Sequence, residues 1–218
     1  MKHQLEFDGI RLSFRDRVIL SDIYMKVETG AVTGLLGRNG QGKTCLFKIV
    51  YGVQSAQQRS IRFDKRPVST PCNRPDLIRY LPQFDFIPRR LSIARTFDDF
   101  EIDFHPFEKR FPEFSSLYKS KIAHLSGGES RFVHTYLILR SATQFVILDE
   151  PFTHLMPLQI EKIVDLIKEE KANKGLLITD HLYHHVMGLS DNLYLLSDGA
   201  SRPIRELHDL DRLGYVRE

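Results

Sequence analysis

Through the first forty residues the apolar positions come in short runs. Leu5-Glu6-Phe7, Ile10-Arg11-Leu12, Val18-Ile19-Leu20 and Ile23-Tyr24-Met25-Lys26-Val27 are each set off by Gly or Asp, a pattern that predicts short strands. Val32-Thr33-Gly34-Leu35-Leu36 is a further apolar run, and it ends in a glycine-rich turn. After that turn Cys45, Leu46, Ile49 and Val50 recur at helical spacing, and Gly52 provides a stop. The stretch 60–63 predicts a strand, 64–67 a turn, and 78–81 another strand. From Glu129 the alternation becomes regular: helix to about 140, strand 145–148, helix 158–170, strand 176–179, helix from about 182, strand 193–196. Strands alternating with helices imply a largely parallel α/β sheet.

Residues 84–114 differ in kind. They hold eight phenylalanines of the fifteen in the chain, at positions 84, 86, 97, 100, 104, 107, 111 and 114. The last six recur every three or four residues and would share one helix face. Pro106 and Pro112 forbid one continuous helix, so two or three short helices are expected, forming a small lobe of about 84–140 inserted into one domain that spans 1–218. The stripe reads as the core of that lobe. The functional alternative is an aromatic groove for a partner helix; eight rings exceed what so small a lobe buries, which makes Phe97 and Phe100 the first candidates for partial exposure.

Composition narrows the class. The chain has 218 residues, 42% hydrophobic and 27% charged, with a net charge of +3. Those values exclude a disordered or fibrous chain and give no argument for nucleic acid as a partner. No apolar run approaches the ~20 residues that cross a bilayer, and the polar start lacks the apolar block of a signal peptide. Cys45 and Cys72 are too few for a disulfide framework. A cytoplasmic protein is expected.

The chemistry begins at Gly37-Arg38-Asn39-Gly40-Gln41-Gly42-Lys43-Thr44, which fits G-x-x-x-x-G-K-[ST] between a strand and a helix. Glycines let backbone N–H groups turn inward around phosphate oxygens, and the following helix aims its positive end at them. Lys43 then faces the β- and γ-phosphates and the Thr44 hydroxyl is suited to Mg²⁺. Cys45 follows directly; it reads as a small packing residue, close enough to the phosphates that alkylation would obstruct them. Phe145-Val146-Ile147-Leu148-Asp149-Glu150 is a buried strand delivering two carboxylates at its end, where α/β sheets hold ligand chemistry. Asp149 suits Mg²⁺, directly or through water, and Glu150 the attacking water. Taken alone, Asp-Glu after a strand is also an ordinary surface turn.

Leu125-Ser126-Gly127-Gly128-Glu129, followed by Arg131, resembles the signature sequence of ATP-binding cassette (ABC) ATPases. With the motifs in family order, the whole chain is similar to one ABC nucleotide-binding domain. The resemblance implies a P-loop NTPase of ABC type: a mostly parallel α/β core sheet with an antiparallel β lobe and an inserted helical lobe. It implies hydrolysis of ATP to ADP and phosphate with Mg²⁺. It makes Gln83 in Tyr80-Leu81-Pro82-Gln83 similar to the glutamine that contacts Mg²⁺ and the attacking water. His181 in Ile178-Thr179-Asp180-His181 is similar to the switch histidine at the γ-phosphate, and Phe14 lies where the family stacks an aromatic on adenine. His181, His184 and His185, at i, i+3 and i+4, would otherwise read as a metal face.

In the family the signature helix faces the partner's phosphate loop, so a second cassette, here a homodimer, and separate membrane permease subunits are the implied partners. The implied location is cytoplasmic, on the inner face of the membrane through the permease. Phe111-Pro112-Glu113-Phe114 and Ile178-Thr179-Asp180-His181 resemble the group of branched-chain amino-acid importers and lipopolysaccharide-export ATPases. The alternatives are a soluble ABC ATPase acting on ribosomes or DNA, and a regulatory nucleotide binder. The second follows from one departure: Met156 stands where the family's D-loop usually has aspartate, which touches coupling and rate rather than ATP binding.

Overall fold

The computed structural model describes residues 2–206 and 209–210. The chain opens with β1 (Gln4–Phe14), β2 (Arg17–Leu20), β3 (Tyr24–Glu28) and β4 (Val32–Leu36), followed by α1 (Lys43–Tyr51). The first two apolar runs are one strand, not two. Gly9 takes φ 57° in its middle, the pairing shifts there, and its two halves pair with β3 and β2 respectively. Then come β5 (Gln58–Phe63) and β6 (Arg66–Pro67), joined through Asp64 and Lys65 at positive φ, and β7 (Ile78–Leu81). The helical segment holds α2 (Ile93–Asp99), α3 (Phe104–Arg110), a 3₁₀ stretch Pro112–Leu117 and α4 (Gly127–Arg140). The remainder is β8 (Phe145–Asp149), α5 (Pro157–Glu170), β9 (Gly175–Thr179), α6 (Tyr183–Leu189), β10 (Asn192–Ser197) and β11 (Ala200–Ile204).

Two sheets result. The larger has the order β11-β10-β4-β9-β8-β7, parallel except for the β10–β11 hairpin. The smaller is antiparallel, with β1 between β5 on one side and β2 and β3 on the other. Every residue of β4, β8 and β9 is buried, as expected for parallel strands covered on both faces. One apolar core fills the space between the two sheets around α1, and another packs α4, α5, α6 and the helical segment on the far face of the large sheet. In this arrangement the loops after β4, β7, β8 and β9 open along one edge, where the site is built.

The phenylalanine stripe divides differently from the expectation. Phe97, only 1% exposed, is core rather than surface, and Phe100 is half-buried against that core. Phe97, Phe104, Phe107, Phe111 and Phe114 form a ring cluster on Phe132 and Tyr136 of α4, with neighbouring centroids 4.6–5.5 Å apart for most pairs. Pro106 sits in the first turn of α3, where its missing N–H costs nothing. The exposed rings are Phe84 (58%) and Phe86 (37%), on the segment that leads from β7 into α2.

Beneath Phe86 lies His134 of α4, fully buried, its ring 5.1 Å from the phenyl centroid and its Nδ1 3.6 Å from Asp85. Burial pushes its pKa from 6.5 down to about 4, against the pull of Asp85. The unfolded chain therefore takes up a proton that the folded chain refuses, so stability falls as pH drops from about 6.5 toward 4. Between pH 7 and pH 5 His134 should remove about 2 kcal/mol. Urea denaturation at the two pH values should show that loss in the wild type and a smaller one in His134→Gln; equal losses would refute this account.

Candidate functional site

The turn after β4 forms the floor of the site. Gly40 (φ 78°) and Gly42 (φ 98°) adopt left-handed backbone, which only glycine takes without strain. At Gly42 a Cβ would also come within 2.7 Å of the Ile19 side chain. Gly42 is the N-cap of α1 and makes no side-chain cap, so the helix's first N–H groups point into the turn unsatisfied by a side chain. Lys43 folds back over this turn: its Nζ donates to the Gly37 carbonyl at 2.6 Å and to the Arg38 carbonyl at 3.3 Å. Burial lowers the Lys43 pKa, while Glu150, Asp149 and Asp180 hold it up. A bound polyphosphate would supply the negative charge that the ammonium meets only at a distance here. Gln41 accepts from the Asp198 N–H at 3.1 Å, tying the turn to the β10–β11 hairpin.

The carboxylates come from the end of β8. Asp149 is fully buried, and its two oxygens accept from Thr44 Oγ1 (3.2 Å) and Tyr80 Oη (2.9 Å). Desolvation nevertheless raises its pKa, so a nearby cation would be favoured. The pairing of a threonine hydroxyl with a buried carboxylate next to a phosphate turn is a hard-oxygen donor set that fits Mg²⁺.

Glu150 takes φ 56°, a conformation costly for a residue with a side chain. Its carboxylate is gripped from three directions. Gln83 Nε2 donates to Oε2 at 2.9 Å, His181 Nε2 lies 2.7 Å from Oε1, and Thr153 Oγ1 donates to Oε2 at 3.3 Å. His181 precedes α6, and no group of three metal-binding side chains occurs among the described residues.

A cavity of about 450 Å³ joins these parts, lined by Asn39, Gly40, Gly42, Lys43, Thr44 and Cys45 on one side and Gln83, Glu150 and His181 on the other. Phe14, exposed, closes one end beside Ile19.

The motif at 125–129 is elsewhere. Ser126 is the exposed N-cap of α4, in a capping box: its hydroxyl accepts from the Glu129 N–H (3.2 Å) and the Glu129 carboxylate accepts from the Ser126 N–H (2.8 Å). None of residues 125–129 lines the cavity. Gly128 must be glycine, since a Cβ would stand 2.7 Å from the His154 carbonyl of the loop after β8. Met156, at the N-cap of α5, is 70% exposed.

Three residues that stand in the quoted motifs without a role assigned to them also shape the site. Tyr80 holds Asp149. Asp180, buried, accepts from the N–H groups of Phe152 (2.9 Å) and Leu182 (2.9 Å), linking the loops that carry Glu150 and His181. Arg131 reaches from α4 to the backbone beside Gln83 and at Glu150.

A family model described as ABC transporter matches residues 20–153, well over half the chain. The chain belongs to the ABC transporter family. It is 32% identical over 213 residues to the lipopolysaccharide export system ATP-binding protein LptB of Acidithiobacillus ferridurans, covering 91% of this chain and 88% of that one. It is 35% identical over 207 residues to a probable ABC transporter ATP-binding protein of Azorhizobium caulinodans, covering 88% and 73%. The fold matches a solved structure of the ATP-binding subunit of an ABC transporter, with a TM-score of 0.82 at 22% identity over 97% of this chain and 93% of that one. The resemblance to lipopolysaccharide-export ATPases read from residues 111–114 and 178–181 is thus met over 91% of the chain. This cassette is an ATP-binding member of its family, with the P-loop fold that the sequence led one to expect. No helix among the described residues is long and apolar enough to cross a membrane.

Proposed function

We propose that this chain is the ATP-hydrolysing subunit of an ABC transporter, acting as a head-to-tail homodimer bound to separate permease subunits on the cytoplasmic face of the membrane. The observation that carries the reading is the convergence of Lys43, Thr44, Gln83, Glu150 and His181 on one cavity, with Asp149 buried behind Thr44 and bonded to its hydroxyl.

In this reading Phe14 stacks on the adenine, and the backbone of residues 37–42 wraps the phosphates. Lys43 leaves its two carbonyl partners for the β- and γ-phosphate oxygens. Thr44, Asp149 and Gln83 would hold Mg²⁺, which would neutralise phosphate charge. Glu150 polarises the water that attacks the γ-phosphorus; as the bond to ADP breaks, the carboxylate takes the water's proton. Gln83 and His181 keep that carboxylate oriented, and His181, which lines the same cavity, turns to the γ-phosphate when ATP is bound. Ser126, Gly127 and Gly128 serve the nucleotide of the partner cassette.

Coupling to a permease is supported by the exposed rings at Phe84 and Phe86. Phe84 directly follows Gln83 and carries Lys48 of α1 5.0 Å from its ring centroid, so a helix docking there touches the nucleotide site through one peptide bond. Expressed with its permease, Phe84→Ser, Phe86→Ser should lose membrane association while the purified protein keeps hydrolysis within a few-fold of wild type, as neither residue lines the cavity. Fractionation of cells at native expression tests this. A wild type that stays wholly in the soluble fraction would favour the soluble or regulatory alternatives. The similarity to LptB makes a lipopolysaccharide-type exporter the first permease pair to try.

A further inference from the structure

β7 and β8 run parallel and paired from Ile78↔Phe145 to Leu81↔Leu148, and there the ladder stops. Gln83 and Glu150 lie just past that end, so no strand hydrogen bond fixes one loop to the other. Besides the Gln83–Glu150 side-chain hydrogen bond itself, a side chain from a third element does. Arg131 of α4, 4% exposed, sends Nη1 to the Pro82 carbonyl at 2.6 Å and Nη2 to the Glu150 carbonyl at 2.7 Å, and Nη2 also donates to the Asp149 carbonyl.

The side-chain contacts of the guanidinium are to these carbonyls, the carboxylates of Asp149, Asp180, Glu150 and Asp85 act on it only through space, and its Nε is buried without a partner. Burying a cation this way is costly. What the geometry returns is position: a planar fork with two separate Nη groups can hold two loops at a set spacing, which a lysine cannot. The Glu150 carbonyl it grips belongs to the residue held at φ 56°, and the Pro82 carbonyl is one peptide from Gln83.

We infer that Arg131 is a positioning residue for hydrolysis: it extends the β7–β8 pairing past the last ladder bond and sets the Gln83–Glu150 pair. This rests on the ATPase reading above. Because Arg131 is the fifth residue of α4, the helix that Ser126 caps, a displacement of α4 would act on both loops together. Arg131, Pro82 and Asp149 do not line the nucleotide cavity, so the effect falls on turnover and not on binding.

Arg131→Lys and Arg131→Gln test this, each folded as judged by circular dichroism and thermal melting. Misplacement of catalytic groups by an ångström or so costs up to about 10²-fold in rate. In Arg131→Lys, kcat should fall about 10- to 100-fold while the KM for ATP and the equilibrium affinity for a fluorescent ATP analogue stay within about threefold. Arg131→Gln, which lacks the fork and the charge, should fall at least as far. If Arg131→Lys melts much lower, kcat and affinity are compared at a temperature where it is fully folded; parallel loss of both there would make Arg131 merely structural and overturn the inference. So would wild-type kcat in a folded variant. A wild type that shows no hydrolysis abolished by Glu150→Gln would instead overturn the reading of the site itself.

Discussion

Glu150→Gln should abolish steady-state ATP hydrolysis and leave ATP binding intact. Loss of a general base costs about 10²–10⁴-fold, and the geometry says why the effect should lie in that range and on that step. The Glu150 carboxylate faces the cavity between Gln83 and His181, with neither oxygen engaged by Lys43. Glutamine keeps the size and can still accept from Gln83 and Thr153 through its carbonyl oxygen, so the φ 56° turn and the loop survive. What it loses is the ability to take a proton. The phosphate-binding turn, Lys43 and the Thr44–Asp149 pair are untouched, so nucleotide affinity should stay within about threefold of wild type. Bound ATP that is not turned over should then accumulate as a stable dimer, visible by light scattering with ATP but not with ADP. Hydrolysis within a few-fold of wild type would remove Glu150 from the role.

How much of this was legible beforehand depends on the range over which each feature is decided. The phosphate turn is legible because it is local: Gly40 and Gly42 need positive φ, and Lys43 and Thr44 follow in the same turn of chain. β8 and β9 are legible because parallel strands covered on both faces read as unbroken apolar runs. The order of the strands is not written in any such run, and with it goes the fact that Tyr80 reaches Asp149, 69 residues away in sequence. Arg131 belongs to a quoted motif, yet only the end of the β7–β8 ladder gives it a task. The phenylalanine stripe is legible as the core of the lobe, which it is, but not in which of its rings stay exposed. Its spacing shows which rings share a face, and they do pack together; it cannot show that Phe132 and Tyr136 of α4 cover that face. Phe84 and Phe86, outside the periodic set, are left in solvent. In the sequence β1 looks like two strands because Asp8 and Gly9 resemble a turn, whereas the glycine only bends one strand between two neighbours.

Mixing a Lys43→Ala subunit with a Ser126→Arg subunit should restore activity that neither has alone. Ser126 is exposed and lines no part of the cavity holding Lys43, so within one chain it has no nucleotide to serve. Its capping box engages the Ser126 and Glu129 N–H groups, which leaves the N–H groups of Gly127 and Gly128 at the start of a 14-residue helix to face an anion from outside. Arginine at Ser126 forfeits the cap, about 1 kcal/mol, and its bulk projects into solvent, so the subunit should fold. It should, however, block a phosphate approaching that helix. In a head-to-tail heterodimer one site then combines both defects, while the other takes Lys43 from one subunit and Ser126 from its partner. Random pairing of equal amounts makes half the dimers mixed, each with one intact site, so about a quarter of wild-type activity should return. A motif that served its own chain's ATP would give none. Strict coupling between the two sites would also give none, and the same mixture built on Glu150→Gln separates the cases: occlusion of one ATP per mixed dimer fits the in-trans arrangement, and occlusion of no ATP refutes it.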